Sequence, residues 1–304
     1  MTNAPLISIV IPTYNHAHYL ALALNSVIDQ TYIHWEAIVI DNHSADNTES
    51  IVLSFDNPKI KLLKIHNNGV IGASRNLGLN EAKGDWIAFL DSDDSWYPSK
   101  LETVVKNIRQ DDEIDVFSTD EMQVNEMTGA KQILRYGPYA SNFYQVLLTE
   151  GNRVSPSATL VRHKFMIENK ISFRENINFV TVEDYDFWML LAKAGAQFKF
   201  IAEVQGEAMV HPHNASGQTS KHKNNLSNVL KDHVFNIQSF EPNKEKLWKD
   251  IKVRLLILEF KERVINKKYF KSLKYLSLAF FSSPKFFIKI SVNKILINKI
   301  IKNF

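Results

Sequence analysis

Four short apolar-rich runs, Leu6–Pro12, Trp35–Ile40, Ile60–Ile65 and Trp86–Leu90, are separated by segments with apolar residues at helical spacing. The first such segment is Tyr19–Ile28, where Leu20, Leu24, Val27 and Ile28 share a face. Thr48 or Asn47 caps a second helix that runs to Phe55, and Ala73–Ala82 reads as a third, entered through the Asn67-Asn68-Gly69 turn. Strands alternating with helices in this way predict an α/β fold with a mostly parallel central sheet and helices on both faces. Beyond Leu101 the pattern predicts a helix to about Arg109, a strand over Val116–Met122 and a loop or hairpin over 124–142. A short helix Phe143–Leu148, a strand Ser157–Val161 and helices His163–Asn169 and Glu183–Ala194 follow. Phe198–Ala202 and Ala208–Val210 read as two short strands, His211–Lys223 as a polar loop, and helical patterns dominate from Leu226 onward.

Charge divides the chain more sharply than hydropathy does. The net charge is only +3, yet residues 1–243 hold 20 Lys and Arg against 29 Asp and Glu, and residues 244–304 hold 16 against 4. The contrast places a charge boundary near Pro242, and the chain is expected to divide into 1–223 and a helical, basic 224–304. In the last segment Phe286, Phe287, Ile290, Ile297, Ile300, Ile301 and Phe304 fall on one broad helical side bordered by lysines. A basic amphipathic helix with aromatic anchors fits a membrane surface; packing on protein or an oligomer contact is the alternative. No nucleic-acid recognition module accompanies the basic tail. The absence of cysteine excludes disulfides and thiolate metal sites and is consistent with a reducing compartment. No secretory signal is visible at the start, and no apolar segment reaches the roughly 20 residues a spanning helix needs.

The densest chemistry lies just after the fourth run, where Asp91, Asp93 and Asp94 crowd four positions. Three like charges beside an apolar strand repel unless a cation joins them, and Mg2+ or Mn2+ carrying phosphates would serve. An Asp-rich surface turn capping the next helix is the plainer account. In a parallel sheet the loops after the first and second strands share an edge with these aspartates. Those loops carry Pro12, Thr13, Tyr14 and Asn15, then Asp41 and Asn42. A ring beside a carboxylate and an amide suits a nucleotide base, whereas Asx turns would need no ligand. Arg75, on the first turn of a helix, opposes the helix dipole, which fits either a nearby anion such as a diphosphate or a solvated surface position. Glu183, Asp184 and Asp186 open another helix, as helix-end acids or with one as a base.

Four stretches, SIVIPTYN (8–15), AIVIDNHSADNT (37–48), GASRNLGLNEAKGDWIAFLDSDD (72–94) and VEDYDFWMLLAKAG (182–195), together resemble family 2 glycosyltransferases of the GT-A fold. The resemblance covers about the first 220 residues. It implies a catalytic domain over 1–223 that moves a sugar with inversion from a nucleotide-diphosphate sugar to a hydroxyl. Pro12, Thr13, Tyr14, Asn15, Asp41, Asn42, Asp91 and Ser92 would hold the nucleoside, with Arg75 near the diphosphate. Asp93 first, Asp94 second and His213 of the late loop would hold a divalent ion, Mn2+ or Mg2+. Asp184 matches the catalytic base, with Glu183 the runner-up. The acceptor implied is a glycan or lipid-linked glycan of a surface polysaccharide, at the inner face of the cell membrane. Where the family often has Asp-Asp-Gly-Ser, this chain has Asp41-Asn42-His43-Ser44. A UDP-sugar stays the leading donor, since an amide oxygen can accept a hydrogen bond, and a dTDP-sugar becomes a competitor. Rival readings are another nucleotide-using α/β enzyme or a non-catalytic partner in polysaccharide assembly. No Gly-rich phosphate loop follows the first strand, which speaks against the first.

Overall fold

A computed structural model describes residues 4–212, 214, 220–265 and 269–292. Strand β1 (Ile7–Thr13) is buried at all seven positions, because helices cover both faces of the sheet. It pairs in parallel with β2 (Trp35–Asp41) on one side and β4 (Trp86–Phe89) on the other, and β2 pairs in parallel with β3 (Ile60–Lys64). Helix α1 (Ala17–Ile28) buries Leu20, Ala23, Leu24 and Val27, followed along the chain by α2 (Thr48–Ser54). Helix α3 (Ile71–Glu81) lies so close to the sheet that a Cβ on Gly78 would fall 2.5 Å from Val10. Only glycine permits that approach.

The strand order reverses at β1, which opens a crevice beyond the carboxyl ends of β1 and β4. Past β4 the sheet is mixed. β8 (Thr159–Arg162) is antiparallel to β4, and β6 (Val116–Asn125) is antiparallel to β8. The predicted strand pair 198–202 and 208–210 is one strand, β9 (Phe198–Val210), which keeps parallel pairing with β6 through register irregularities near Thr119 and Asp120. Those irregularities break the period-two pattern that a sequence reading follows. The two-residue β5 (Ser95–Trp96) adds to β9, and β7 (Lys131–Leu134) makes a hairpin with β6. Helices α4 (Lys100–Gln110), α6 (His163–Asn169), α7 (Glu183–Lys193) and most of α8 (Ser220–Asp232) complete this part, whereas most of α5 (Phe143–Glu150) belongs to a second unit.

The chain forms two compact units, Met1–Tyr144 with Arg153–Val229, and Gln145–Asn152 with Leu230–Phe304. The first ends within α8, a few residues beyond the boundary expected at 223. In the second, α9 (Lys244–Ile265), α10 (Tyr269–Ser282) and α11 (Pro284–Val292) pack around Val253, Ile257 and Ala279. Phe286 and Phe287, expected as surface anchors, pack against this small core instead. Among the described residues of this unit the exposed large apolar side chains are Phe240, Leu258, Leu273, Leu278, Phe280, Phe281 and Ile288. Ile297, Ile300, Ile301 and Phe304 lie outside the described residues, and so does the side chain of Ile290. Among the described residues no helix is long and apolar enough to cross a membrane.

Candidate active site

The loops after β1 and β2 are tied to each other. Asn15 takes a left-handed backbone (φ 51°), donates its N–H to Ser44 Oγ at 2.8 Å and accepts from Ala45 N at 2.8 Å. Asp41, the register partner of Thr13, is buried, and its Oδ1 accepts from Ser44 N (2.9 Å) and Ser44 Oγ (2.6 Å). The Asp41 side chain thus closes its own loop three residues on, a local bond that differs from the i to i+2 Asx turn considered from sequence. Asn42 Oδ1 accepts from Asn67 N at 2.9 Å, which fixes which end of the amide is the oxygen. The oxygen expected to read a base edge is therefore already bonded to a protein donor. Pro12 and Thr13 are buried, and Thr13 Oγ1 has no partner among the described residues. Tyr14 is 55% exposed, with its ring open to solvent.

The four residues after Leu90 resolve their mutual repulsion by facing different partners. Asp91 Oδ1 accepts from Arg75 at 2.7 Å. Asp94 Oδ1 accepts from Met209 N at 2.9 Å, and Oδ2 accepts from Ser157 Oγ at 2.5 Å. Ser157 Oγ in turn accepts the Asp91 N–H at 3.0 Å. Both Asp94 oxygens are thus committed to protein donors, so Asp94 pins the turn to β9, a poor fit to the second metal-ligand role expected of it. Burial raises the Asp94 pKa well above the usual carboxylate range, and the nearby Asp93, Glu121 and Asp91 charges add to this.

Asp93 is left facing the site. Its Oδ2 lies 3.0 Å from His211 Nε2 and accepts from Asn214 Nδ2 at 3.0 Å. His213 lies outside the described residues; His211, two positions earlier, is the histidine that meets Asp93. The His211 ring stacks on Tyr19 with centroids 4.6 Å apart and meets the edge of His16 at 5.6 Å. Tyr19 donates to Glu126 at 2.8 Å, and His16 Nδ1 lies 3.1 Å from the hydroxyl of buried Ser92. Among the described residues no three His, Asp or Glu gather as a complete metal cage. The Asp93–His211 pair nevertheless suits a divalent ion. A carboxylate and an imidazole are donors such ions accept, and they would need few protein ligands when phosphates supply the rest.

Arg75 was expected beside a diphosphate, but it is only 4% exposed and bonds two carboxylates. It donates through one guanidinium nitrogen to Asp91 and through the other to Glu183 Oε1 at 2.8 Å. Burial opposes its charge, but Asp91 and Glu183 outweigh burial and hold its pKa above the ordinary value. The cation at a helix start is thus compensated within the protein. The first turn of α7 then sorts its three acids. Glu183 is held by Arg75. Fully buried Asp186 is gripped in a fork by Arg174, whose Nε donates to Oδ2 at 2.8 Å. Half-buried Asp184 has no ion pair among the described residues. Burial and the Glu183 carboxylate push its pKa up to about 7, against the pull of Arg75.

The family model described as Glycosyl transferase family 2 matches residues 8–168, just over half of the chain. The chain belongs to this family. The glycosyltransferase is 34% identical over 189 residues to the Escherichia coli protein named UDP-Glc:alpha-D-GlcNAc-diphosphoundecaprenol beta-1,3-glucosyltransferase WfgD, covering 62% of this chain and 70% of that one. It is 39% identical over 105 residues to the putative teichuronic acid biosynthesis glycosyltransferase TuaG of Bacillus subtilis, covering 34% of this chain and 42% of the relative. Among solved structures it resembles S. aureus TarS 1-349 in complex with UDP-GlcNAc (TM-score 0.65, 20% identity, 90% of this chain and 81% of that one). It also resembles the mannosyltransferase PcManGT of Pyrobaculum calidifontis in complex with GDP-Man and Mn2+ (TM-score 0.56, 16% identity, 96% and 87%). The glycosyltransferase thus has the GT-A fold.

Several residues of this glycosyltransferase site escaped the sequence reading: His16, Tyr19, Ser157, His211 as the partner of Asp93, and Asn214. Their side-chain hydrogen bonds to Asp93, Asp94, Ser92 and Glu126 span 63 to 121 positions of sequence, and the ring contacts to His211 span more, too far for local spacing to reveal.

Proposed function

We propose that this glycosyltransferase moves a sugar, with inversion, from a UDP-sugar to a hydroxyl of a glycan or lipid-linked glycan in surface-polysaccharide synthesis. The observation that carries the reading is the Asp91–Arg75–Glu183 bridge. It joins the turn after β4 to the start of α7 and, among the described residues, leaves Asp184 as the one acid there without an ion pair. In this scheme Asp184 accepts the proton of the acceptor hydroxyl as that oxygen attacks the anomeric carbon opposite the leaving diphosphate. One carboxylate suffices for inversion, and Glu183, held by Arg75, keeps Asp184 in place without competing for the proton. Tyr14 stacks the base, Thr13 Oγ1 and Asp41 hold the nucleoside, and Asn42 offers its amide hydrogens to a base carbonyl.

Asp93 and His211 would hold a Mn2+ or Mg2+ ion, with His213 as a further candidate. The ion, when bound, neutralises charge on the leaving diphosphate. The UDP-sugar assignment is supported by the names of the relative WfgD and of the TarS complexes. A dTDP-sugar remains the competitor on account of Asn42.

The second unit carries the basic segment and leaves Leu273, Leu278, Phe280, Phe281 and Ile288 exposed. This combination suits peripheral binding to an anionic membrane surface on the cytoplasmic side, where a lipid-linked acceptor would lie. Self-association through the same apolar residues is the alternative.

The deciding experiment follows release of UDP from UDP-glucose and UDP-N-acetylglucosamine with Mn2+, for the native protein and Asp184→Asn. The variant is expected to bind UDP normally and to turn over at least 100-fold more slowly. Normal turnover would end the base assignment. Failure of the native protein to bind any uridine nucleotide, alongside dTDP binding, would reassign the donor.

A further inference from the structure

The residue two positions before α7 is strained. Thr181 has φ 72°, a left-handed backbone that a β-branched side chain rarely adopts. No local motif explains it: a short 3-10 turn, Ile177–Phe179, precedes it, and α7 begins at Glu183. Strain of this kind persists only where the surroundings over-determine it, and it concentrates at functional positions.

The surroundings that hold Thr181 belong to α8. His222 Nδ1 lies 3.1 Å from Thr181 Oγ1, and the ring also bonds the Thr181 backbone. One helical turn along, buried Asn225 donates through Nδ2 to the Val180 carbonyl at 2.9 Å. The side chains at i and i+3 of one helix therefore grip the two residues immediately before Val182. Burial lowers the His222 pKa, which favours the neutral ring that can share a hydrogen bond with the hydroxyl.

The consequence falls on Asp184. A left-handed residue turns the chain sharply, so the φ of Thr181 sets the direction in which α7 leaves the turn. Arg75 anchors Glu183 from one side, and α8 anchors Val180 and Thr181 from the other. We propose that His222 and Asn225 are positioning residues for sugar transfer, holding Thr181 in its left-handed conformation so that Asp184 is presented to the acceptor hydroxyl. The proposal rests on the reading of Asp184 as the base.

The test measures turnover and donor KM for UDP release from UDP-glucose with Mn2+, and amide hydrogen exchange over residues 179–186. His222→Ala is expected to lower kcat about tenfold with donor KM within about twofold, the effect of one lost hydrogen bond on geometry alone. Thr181→Val removes the hydroxyl but keeps the backbone contact with His222, so it should lose part of the same turnover, and the double variant should be no worse than His222→Ala. His222→Asn, which places a polar atom near the position of Nδ1, should restore turnover. Adding Thr181→Gly to His222→Ala should restore most of it by removing the strain. Exchange at 179–186 should quicken in His222→Ala and return to native in His222→Asn. Unchanged kcat and exchange in His222→Ala would overturn the proposal. So would a lower Tm with kcat intact, or failure of both restoring variants. Asp184→Asn measured alongside separates the two ideas. Full activity there ends the base assignment, whereas an inactive Asp184→Asn beside an unaffected His222→Ala ends only the clamp.

Discussion

Replacing Arg75 with Met distinguishes an internal bridge from a diphosphate contact. The guanidinium is 4% exposed and lies 2.7 Å from Asp91 and 2.8 Å from Glu183. Deleting one partner of a buried ion pair leaves uncompensated charge and typically costs about 3–5 kcal/mol. Glu183 is itself buried, so that range applies here without the discount due to an exposed pair. In a unit of this size the loss corresponds to a fall in Tm of about 10 °C. Arg75→Lys should recover little, since one ammonium cannot reproduce the two-pronged geometry. Pairing Arg75→Met with Glu183→Gln removes one stranded charge and should return about 1–3 kcal/mol relative to the sum of the single variants. Thermal and urea denaturation of the native protein and the four variants, Glu183→Gln alone included, at pH 7.5 without nucleotide, read these numbers. A contact to the donor predicts a different pattern: near-native stability without ligand and a raised donor KM. An Arg75→Met variant within about 1 kcal/mol of native stability would refute the bridge as the source of order at this site.

Other outcomes are equally open to measurement. Asp184, with its pKa raised to about 7, must lose its proton to act as base, so kcat should climb as pH rises through about 7 and level off above it. A flat profile from pH 5.5 to 8.5 would exclude it as the titrating base. Because the folded pKa is raised above that of an unfolded Asp, the ionised carboxylate is disfavoured by folding. The Asp184 contribution to stability is therefore greatest below pH 4 and declines as pH rises toward 7. His211→Ala should weaken Mn2+ binding in the presence of UDP by tenfold or more, read by paramagnetic resonance of free Mn2+, while Asp94→Asn should lower stability more than Mn2+ affinity. Phe281 is 77% exposed, so Phe281→Ser should reduce binding to vesicles containing anionic lipid and leave Tm nearly unchanged. Unaltered vesicle binding would move weight to self-association.

The alternating half of the fold was legible because its signals are local. Apolar-rich runs such as Ile7–Ile11 and Ala37–Ile40 have nowhere to go but a doubly covered sheet, and α1 carries its buried face at helical spacing, whereas α7 is buried on nearly every side from Tyr185 to Met189. The mixed half was less legible. The antiparallel insertion of β8 between β4 and β6, and the continuity of β9 through its register shifts, depend on pairing partners more than 40 residues apart. At the site, sequence picked out the acids but could not distribute them. Three neighbouring aspartates look equivalent in a string, yet one meets Arg75, one meets a histidine and one is buried on a backbone amide. The same holds for Glu183, Asp184 and Asp186, which the helix dipole alone would treat alike.

By itself, then, the sequence determined the α/β class, the loops at the carboxyl edge, the acidic turn after the fourth strand and the charge contrast of the basic tail. Composition and periodicity act over a few residues, and those features are written at that range. Only the tertiary structure decided that Arg75 is an internal strut, that Asp94 is an anchor, that His211 faces Asp93, and that Thr181 is held against its backbone preference by α8. Each of those depends on a hydrogen bond between atoms far apart in the chain. Its partner is chosen by which buried donor or acceptor would otherwise go unsatisfied when the elements pack.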